Sequence, residues 1–254
     1  LPGFVLLAYR LAKSLGGEVV GIVVALLVVT HPITLISVRS GGFDFFATFF
    51  ALLVIKSLFD HSREHSPRTL AILWMNLCMF AEIRYETGLF IPPVVALLLL
   101  LGMVSRNLLR PYAFIYALTP VYLMPRVWQA VCRGSVPHQD PGAVVFSLDN
   151  FINNSRDYFK TILSPLHTHP AHSAVVIALG LVGCMLWLRW LHRNLHADGW
   201  RAPQLRFPIL VIAWMLVQAF IVFTYVWGRP QYPSSARLFI AIDTFFAFPA
   251  AWVL

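Results

Sequence analysis

Ser37-Val38-Arg39-Ser40-Gly41-Gly42-Phe43-Asp44 is a short charged turn between two apolar stretches, residues 18–37 and 44–59. Asp44 lies five residues after Arg39, and two of the residues between them are glycines, which allow the backbone to bend. An ionised carboxylate at the mouth of an apolar stretch is costly and is typical of a functional position. The turn therefore predicts two helices that meet at a membrane surface, with chemistry at the place where they meet.

The composition around this turn is that of a membrane protein. Of the 254 residues 59% are hydrophobic and 12% are charged, and the mean hydropathy is +0.73. Soluble domains are about 45–50% apolar. We therefore expect an all-α, polytopic transmembrane helix bundle with about eight or nine visible spans, each long enough for a hydrocarbon core of about 30 Å. The apolar runs are residues 18–37, 44–59, 69–83, 88–104, 111–131, 173–191, 207–227 and 237–254, with 2–9 as the tail of a ninth.

Prolines and the chain start qualify this expectation. Pro32, Pro92, Pro93, Pro120 and Pro125 lie in or beside the apolar runs and predict kinks. The first run has no beginning and the chain does not start with methionine. We expect an N-terminally truncated sequence.

The basic residues indicate topology. The formal charge is +8, but no basic run typical of a nucleic-acid patch occurs, so we expect no nucleic-acid partner. Eleven of the 19 lysines and arginines lie in alternate loops that begin with Arg10 and Lys13. The positive-inside rule assigns those loops to the cytoplasm. The turn at Asp44 then faces the periplasm or a lumen, and we expect an integral protein of a bacterial inner (plasma) membrane.

Three regions follow along the chain: N-terminal helices (1–131), an extracytoplasmic loop (132–172) and C-terminal helices (173–254). Within the loop Phe151, Tyr158, Phe159 and Ile162 recur at helical spacing, with polar residues between them. This pattern predicts an amphipathic helix. Two placements stay open, on the membrane surface or as a cap over a cavity between spans.

Two further charged clusters lie on the predicted extracytoplasmic face. Glu82-Ile83-Arg84-Tyr85-Glu86 brings two carboxylates near an arginine, which would ease their joint ionisation. The segment 227–237 carries Arg229, Tyr232 and Arg237, and guanidinium groups suit phosphate oxygens. The alternative is that these charges only mark the water boundary and that the arginines snorkel to the headgroups.

Other polar residues carry weaker signals. Asp243 lies within the last apolar run, and we favour a structural role because nothing nearby in sequence complements it. His31 precedes Pro32 and predicts a polar group at a helix end, without an assigned role. His167, His169 and His172 form a loop triplet that indicates a solvated loop more than a metal site.

The order of these clusters resembles the multi-spanning glycosyltransferases of the GT-C superfamily, in particular the bacterial protein mannosyltransferases and the aminoarabinose transferases of lipid A. The resemblance rests on Arg39-Ser40-Gly41-Gly42-Phe43-Asp44, on the corner Arg84-Tyr85-Glu86 and on Arg237 at the head of a late span. Phe and Leu replace the tyrosine that follows this arginine in the family. The family's catalytic aspartate, in its first extracytoplasmic loop, would precede Leu1.

This resemblance implies transfer of a sugar from a polyprenyl-phosphate donor to an acceptor that is a lipid, a protein or a glycan, among membrane lipids on the outer face. Asp44 and Glu86 are the implied catalytic carboxylates: Asp44 assists the upstream aspartate, by orienting the acceptor or by helping to hold a cation, and Glu86 is a further helper. A divalent metal is possible as a cofactor. The implied substrate-binding residues are Arg39, Arg84, Tyr85, Arg229, Tyr232 and Arg237.

Two other classes stay open. A lipid or solute transporter, including a flippase, would also place charges near spans broken by prolines. A GT-C-like membrane scaffold without catalysis would keep the same fold.

Overall fold

The computed structural model describes residues 1–39, 43–83, 87–133, 146–163, 173–198, 203–225 and 239–254. Nearly all residues in these ranges belong to helices, and none forms a strand. The one isolated β-bridge among them pairs Phe146 with Tyr225. The predicted all-α class is confirmed.

The helices are numbered here in chain order. They are α1 (Pro2–Thr30), α2 (Pro32–Arg39), α3 (Phe43–Glu64), α4 (Pro67–Ile83), α5 (Ile91–Leu100), α6 (Arg106–Leu109), α7 (Ala113–Ala117), α8 (Thr119–Tyr122), α9 (Met124–Arg133), α10 (Leu148–Leu163), α11 (Ala174–Asp198), α12 (Pro203–Thr224) and α13 (Ile240–Val253). Short 3₁₀ turns at Thr87–Phe90 and Arg110–Tyr112 precede α5 and α7.

The apolar helices are compatible with a membrane protein. By length and composition two of those described are long enough to cross a bilayer, Pro2–Thr30 and Ala174–Ala197. The bent pair α2 and α3 makes a third if it counts as one span. Three apolar helices are shorter: Thr87–Leu100, Val211–Thr224 and Ile240–Val253. The predicted eight or nine spans are therefore not confirmed.

Helix α1 is folded rather than straight. Gly17 has φ 88°, a conformation that glycine adopts readily. A β-carbon placed on Gly21 would lie 3.0 Å from the Tyr9 ring, whereas a straight helix would separate these residues by about 18 Å. Across the bend, Glu18 accepts hydrogen bonds from Tyr9 Oη (2.8 Å) and Lys13 Nζ (2.7 Å). The chain therefore turns back at Gly17, between the predicted runs 2–9 and 18–37, so Pro2–Thr30 has the length of a span but is not one straight helix.

The stretch from α7 to α9 is helical with interruptions at the prolines. The backbone turns at Leu118 and Leu123, each two residues before a proline. Helical bonding then resumes, since Tyr122 N–H donates to Leu118 O (3.0 Å) and Val127 N–H donates to Leu123 O (3.1 Å). The kinks expected in residues 111–131 from Pro120 and Pro125 are confirmed.

The chain divides into two compact units. Unit 1 comprises Leu1–Phe49, Val144–Arg193 and Met215–Leu254, and unit 2 comprises Phe50–Ala143 and Asn194–Trp214.

In unit 1, α13 packs on α1 and α2, and it also lies against α11. A β-carbon on Gly180 would approach Phe246 Cδ1 to 2.7 Å, and one on Gly183 would clash with the Pro249 backbone. Further along, the Trp187 and Trp252 rings meet at 5.9 Å. The residue numbers of the contacting pairs increase in the same direction along both helices, so α11 and α13 run parallel. Glycines permit this close approach, as in membrane helix pairs.

In unit 2, α4 is the central helix and packs on α5 to α8. Phe80, Phe90 and Trp214 form an aromatic cluster with ring centroids 4.5 to 5.3 Å apart. His61, fully buried in α3, contacts Thr69 Oγ1 through Nδ1 (2.9 Å) and Met103 O through Nε2 (2.8 Å). This histidine joins the end of α3 to the start of α4 and to the segment after α5.

Candidate functional site

Asp44 lies in the first turn of α3, directly after the charged turn. Its side chain is only 6% exposed. The helix dipole explains why an acid is tolerated there, because a negative charge is stabilised near a helix N-terminus. Thr48, one turn later and also buried, donates its hydroxyl hydrogen to the Asp44 carbonyl (2.9 Å). The carboxylate that the sequence singled out is thus buried at the start of an apolar helix.

Arg39 ends α2 and is exposed, so its guanidinium faces outward close in sequence to the buried acid. The three residues between α2 and α3 lie outside the described residues, as do six of the predicted site residues: Arg84, Tyr85, Glu86, Arg229, Tyr232 and Arg237. Whether they gather around Asp44 stays a prediction. Glu82 is described, and its Oε1 is buried with no hydrogen-bond partner among the described residues.

The start of α3 is fixed to the core of unit 1 through Phe45. The Phe45 ring meets the Phe4 ring edge-on at 5.0 Å. Phe45 also packs against the buried cluster that includes Ile33, Tyr158 and Phe239. Asp44 is therefore held beside the same core that surrounds a second buried acid, Asp243.

Asp243 is fully buried in unit 1. Because α13 begins at Ile240, Asp243 lies in its first turn, nearer the helix end than the sequence suggested. Tyr158 of α10 donates its hydroxyl hydrogen to Asp243 Oδ1 (2.8 Å). Burial raises the pKa of the Tyr158 hydroxyl well above its usual range, and the nearby charge of Asp243 raises it further. Tyr158 therefore remains a proton donor at physiological pH.

His31 completes this cluster. It lies between α1 and α2 in an extended conformation, as expected for a residue before proline. Its Nε2 is 4.0 Å from Asp243 Oδ2 and 3.4 Å from Ser173 N, and its Nδ1 is 3.4 Å from Ile33 N. A neutral imidazole accepts at one nitrogen only. Ile33 N–H and Ser173 N–H each point at one ring nitrogen, so with a neutral ring only one of these two contacts is a hydrogen bond.

The amphipathic helix α10 lies against the end of α12. The Asn154 amide donates to Phe223 O (2.8 Å) and Tyr225 O (2.9 Å), and the Asn150 amide donates to Thr224 O (3.3 Å). These are backbone carbonyls at a helix C-terminus, which need partners from outside the helix. Together with the Tyr158–Asp243 bond, these contacts pack α10 against α12 and α13 within unit 1. The two placements relative to the membrane that the sequence left open stay predictions.

Buried hydroxyls lie on the same elements. Thr34 of α2 and Thr244 of α13 are buried, and their Oγ1 atoms have no hydrogen-bond partner among the described residues. Unpaired buried polar atoms are costly. Unit 1 therefore combines two buried carboxylates with buried hydroxyls and an imidazole, a set able to accept, donate and relay protons.

The sequence alone did not bring the members of this cluster together. It favoured a structural role for Asp243, left His31 without a role and counted Tyr158 only as part of an apolar helix face. Asp243 and Tyr158 are far apart in sequence, so no local pattern pairs them. The available signal was a tyrosine on the buried face of α10 and an acid with no local partner, each in need of a partner elsewhere.

A metal centre has little support in the described ranges, where no group of three or more His, Cys, Asp or Glu side chains is placed to hold an ion. The triplet His167, His169 and His172 lies outside those ranges.

No protein-family model matches the chain, and no curated protein and no solved structure is significantly similar to it. The GT-C resemblance therefore stays a prediction carried by short motifs.

Proposed function

We propose that this chain is a membrane glycosyltransferase that moves a sugar from a polyprenyl-phosphate donor to an acceptor hydroxyl on the extracytoplasmic side. The observation that carries the proposal is the buried Asp44 carboxylate in the first turn of an apolar helix, five residues after the exposed Arg39. An acid at that depth is expensive to keep unless it serves a purpose.

The chemistry needs two groups. The acceptor hydroxyl must lose a proton as the new glycosidic bond forms, and a carboxylate can take it. The departing lipid phosphate carries charge, which a guanidinium can stabilise. In this proposal Asp44 serves acceptor activation and Arg39 serves phosphate binding, with Glu86, Arg84, Tyr85, Arg229, Tyr232 and Arg237 as further members of the site.

The test uses full-length protein in membrane-like lipid, supplied with a radiolabelled polyprenyl-phosphate sugar. Asp44→Asn should reduce sugar transfer at least about a hundredfold, a typical contribution of a general base. Asp60→Asn is the matched control, because Asp60 lies on the same helix, is 39% exposed and only pairs with Lys56 one turn away. The control should keep its activity. Equal activity of wild type and Asp44→Asn would refute the assigned role.

The buried Asp243 favours a second function, a transporter coupled to protons. A carboxylate that contacts a tyrosine and faces a histidine inside apolar surroundings is typical of proton relays. Its place in the first turn of α13 argues against a midplane transport site.

A flux assay separates the two functions. Solute or lipid movement in proteoliposomes that is lost in Asp243→Asn, with no sugar transfer by wild type, would establish the transporter and displace the glycosyltransferase.

A further inference from the structure

A basic groove in unit 2 lies apart from the site described above. It has a volume of about 280 Å³ and is lined by Arg106, Leu109, Arg110, Ala113 and Tyr116. The lining residues form pairs three or four positions apart, such as Arg106 with Leu109 and Arg106 with Arg110, so they lie on one side of the helical stretch from α6 to α7. Two guanidinium groups thus border a groove whose remaining walls are a leucine, an alanine and an aromatic ring.

The two arginines repel each other without a visible counter-charge. Arg106 and Arg110 are exposed, and neither has a carboxylate within ion-pair distance among the described residues. Like charges four residues apart on a helix are destabilising. An anion bound between them would remove that repulsion, and guanidinium geometry suits phosphate oxygens.

Tyr116 is held in place at the other end of the groove. Its ring meets Trp74 of α4 edge-on at 6.0 Å. The Trp74 indole N–H is itself fixed by donation to Thr119 Oγ1 (2.8 Å). The Tyr116 hydroxyl is buried and has no hydrogen-bond partner among the described residues. The ring, not this buried hydroxyl, therefore forms the Tyr116 part of the groove wall.

The groove follows the end of an apolar helix. Helix α5 ends at Leu100, with Leu99 and Leu100 both exposed, and Arg106 opens the next helix. Beyond the groove the exposed side chains on the helical stretch are again apolar, at Phe114, Leu118 and Val121. Arginines at such a boundary lie at the height of lipid headgroups if α5 is embedded in a bilayer.

We propose that the groove lined by Arg106, Arg110 and Tyr116 binds the phosphate of an anionic phospholipid. The arginines contact the phosphate oxygens, while Leu109, Ala113 and the tyrosine ring face the glycerol and the first acyl carbons. A free phosphate ion would satisfy the arginines but would leave these apolar walls uncovered. The exposed apolar side chains on both sides of the groove also favour a lipid.

The experiment measures binding of phosphatidylglycerol to purified full-length protein in detergent, by native mass spectrometry and by the rise in melting temperature on lipid addition. Phosphatidylcholine and inorganic phosphate are the comparison ligands. Wild type should prefer phosphatidylglycerol. The double variant Arg106→Gln/Arg110→Gln should bind it at least about tenfold more weakly, since each arginine supplies a charge-assisted contact.

The chain offers a matched control in Arg189 and Arg193. These two arginines are also exposed and four residues apart on one helix, and they do not line the groove. Arg189→Gln/Arg193→Gln should bind phosphatidylglycerol as wild type does.

Three outcomes would overturn the proposal. The first is equal loss in both double variants, which would show that net charge alone attracts the lipid. The second is equal binding of phosphatidylglycerol and phosphatidylcholine by wild type. The third is stabilisation by inorganic phosphate as strong as that by lipid, which would make a free phosphate the ligand. Sugar transfer is not measured, so the result is independent of the proposed enzymatic function.

Discussion

Two buried histidines lie near helix ends, one in each unit, and are held in different ways. In unit 2 both ring nitrogens of His61 contact neutral oxygens at hydrogen-bond length, 2.9 Å to Thr69 Oγ1 and 2.8 Å to Met103 O. In unit 1 His31 contacts two backbone nitrogens at 3.4 Å and faces the Asp243 carboxylate at 4.0 Å.

The difference separates a histidine held by neutral groups from one that faces a carboxylate. Met103 O can only accept, so Nε2 of His61 must carry a proton and the ring has a defined role in joining three chain segments. His31 instead faces a carboxylate that also receives the Tyr158 hydroxyl, so the protonation of one group affects the others. Burial alone therefore does not separate the two histidines, whereas the charge of the neighbouring group does.

The largest expected effect tests the connector. His61→Ala removes two hydrogen bonds, leaves Met103 O unpaired and opens a cavity, so the free energy of unfolding should fall by about 3–4 kcal/mol. Unfolding in mixed micelles measures this loss. The neighbouring His65 is exposed and has φ 47°, and asparagine tolerates that conformation. His65→Asn should therefore change stability by less than about 1 kcal/mol. A similar loss in both variants would contradict the connector role of His61.

Much of the helical framework could be predicted from the sequence. Apolar runs located α4 and α12 to within four residues at each end, because a continuous apolar segment has few alternatives to a helix. They also located the starts of α3 and α11 to within one residue, but these helices continue five and seven residues past the predicted runs. Other features depend on contacts between distant residues. The close approach of Gly180 and Gly183 to α13 and the connector at His61 join segments that no local pattern relates.

The second prediction tests the cluster in unit 1. Tyr158→Phe keeps the ring but removes the hydroxyl that donates to Asp243 Oδ1, and a hydrogen bond to a charged group contributes about 1.5–3 kcal/mol. Stability should fall by about 2 kcal/mol. Tyr122→Phe, in a half-buried position of α8, is the control and should leave stability within about 0.5 kcal/mol of wild type. No loss in Tyr158→Phe would show that the bond to Asp243 contributes nothing to the fold.

The candidate site was only partly predictable. Asp44 stood out because an acid beside glycines at the start of an apolar run is a local signal, and the structure places it in a buried first turn. The pairing of Asp243 with Tyr158 could not be inferred, because it depends on the way α10 packs against unit 1. Six further site residues, including Glu86 and Arg237, lie outside the described residues, and their grouping stays a prediction.

A smaller effect is expected where α10 caps α12. Asn154→Ala removes two bonds to backbone carbonyls, at 2.8 and 2.9 Å, and should cost about 1–2 kcal/mol. Hydrogen exchange should accelerate in α10 and not in α4. Asn153→Ala is the control, because its side chain is exposed on the same helix. Unchanged exchange in α10 would mean that its packing does not depend on this amide.

The last prediction uses pH to separate the two histidine regions. Tyr158 keeps its proton in the folded protein because its pKa is raised by burial and by Asp243, whereas in the unfolded chain it ionises near pH 10. Its contribution is therefore complete below pH 10 and decreases at higher pH. The stability difference between wild type and Tyr158→Phe should shrink by about 1.4 kcal/mol per pH unit above that point. The difference between wild type and His61→Ala should stay constant there, because the partners of His61, Thr69 Oγ1 and Met103 O, are oxygens that do not ionise. A constant gap for Tyr158→Phe as well would mean that this tyrosine ionises equally in both states, and the unit 1 cluster would then resemble the connector rather than a coupled set of protons.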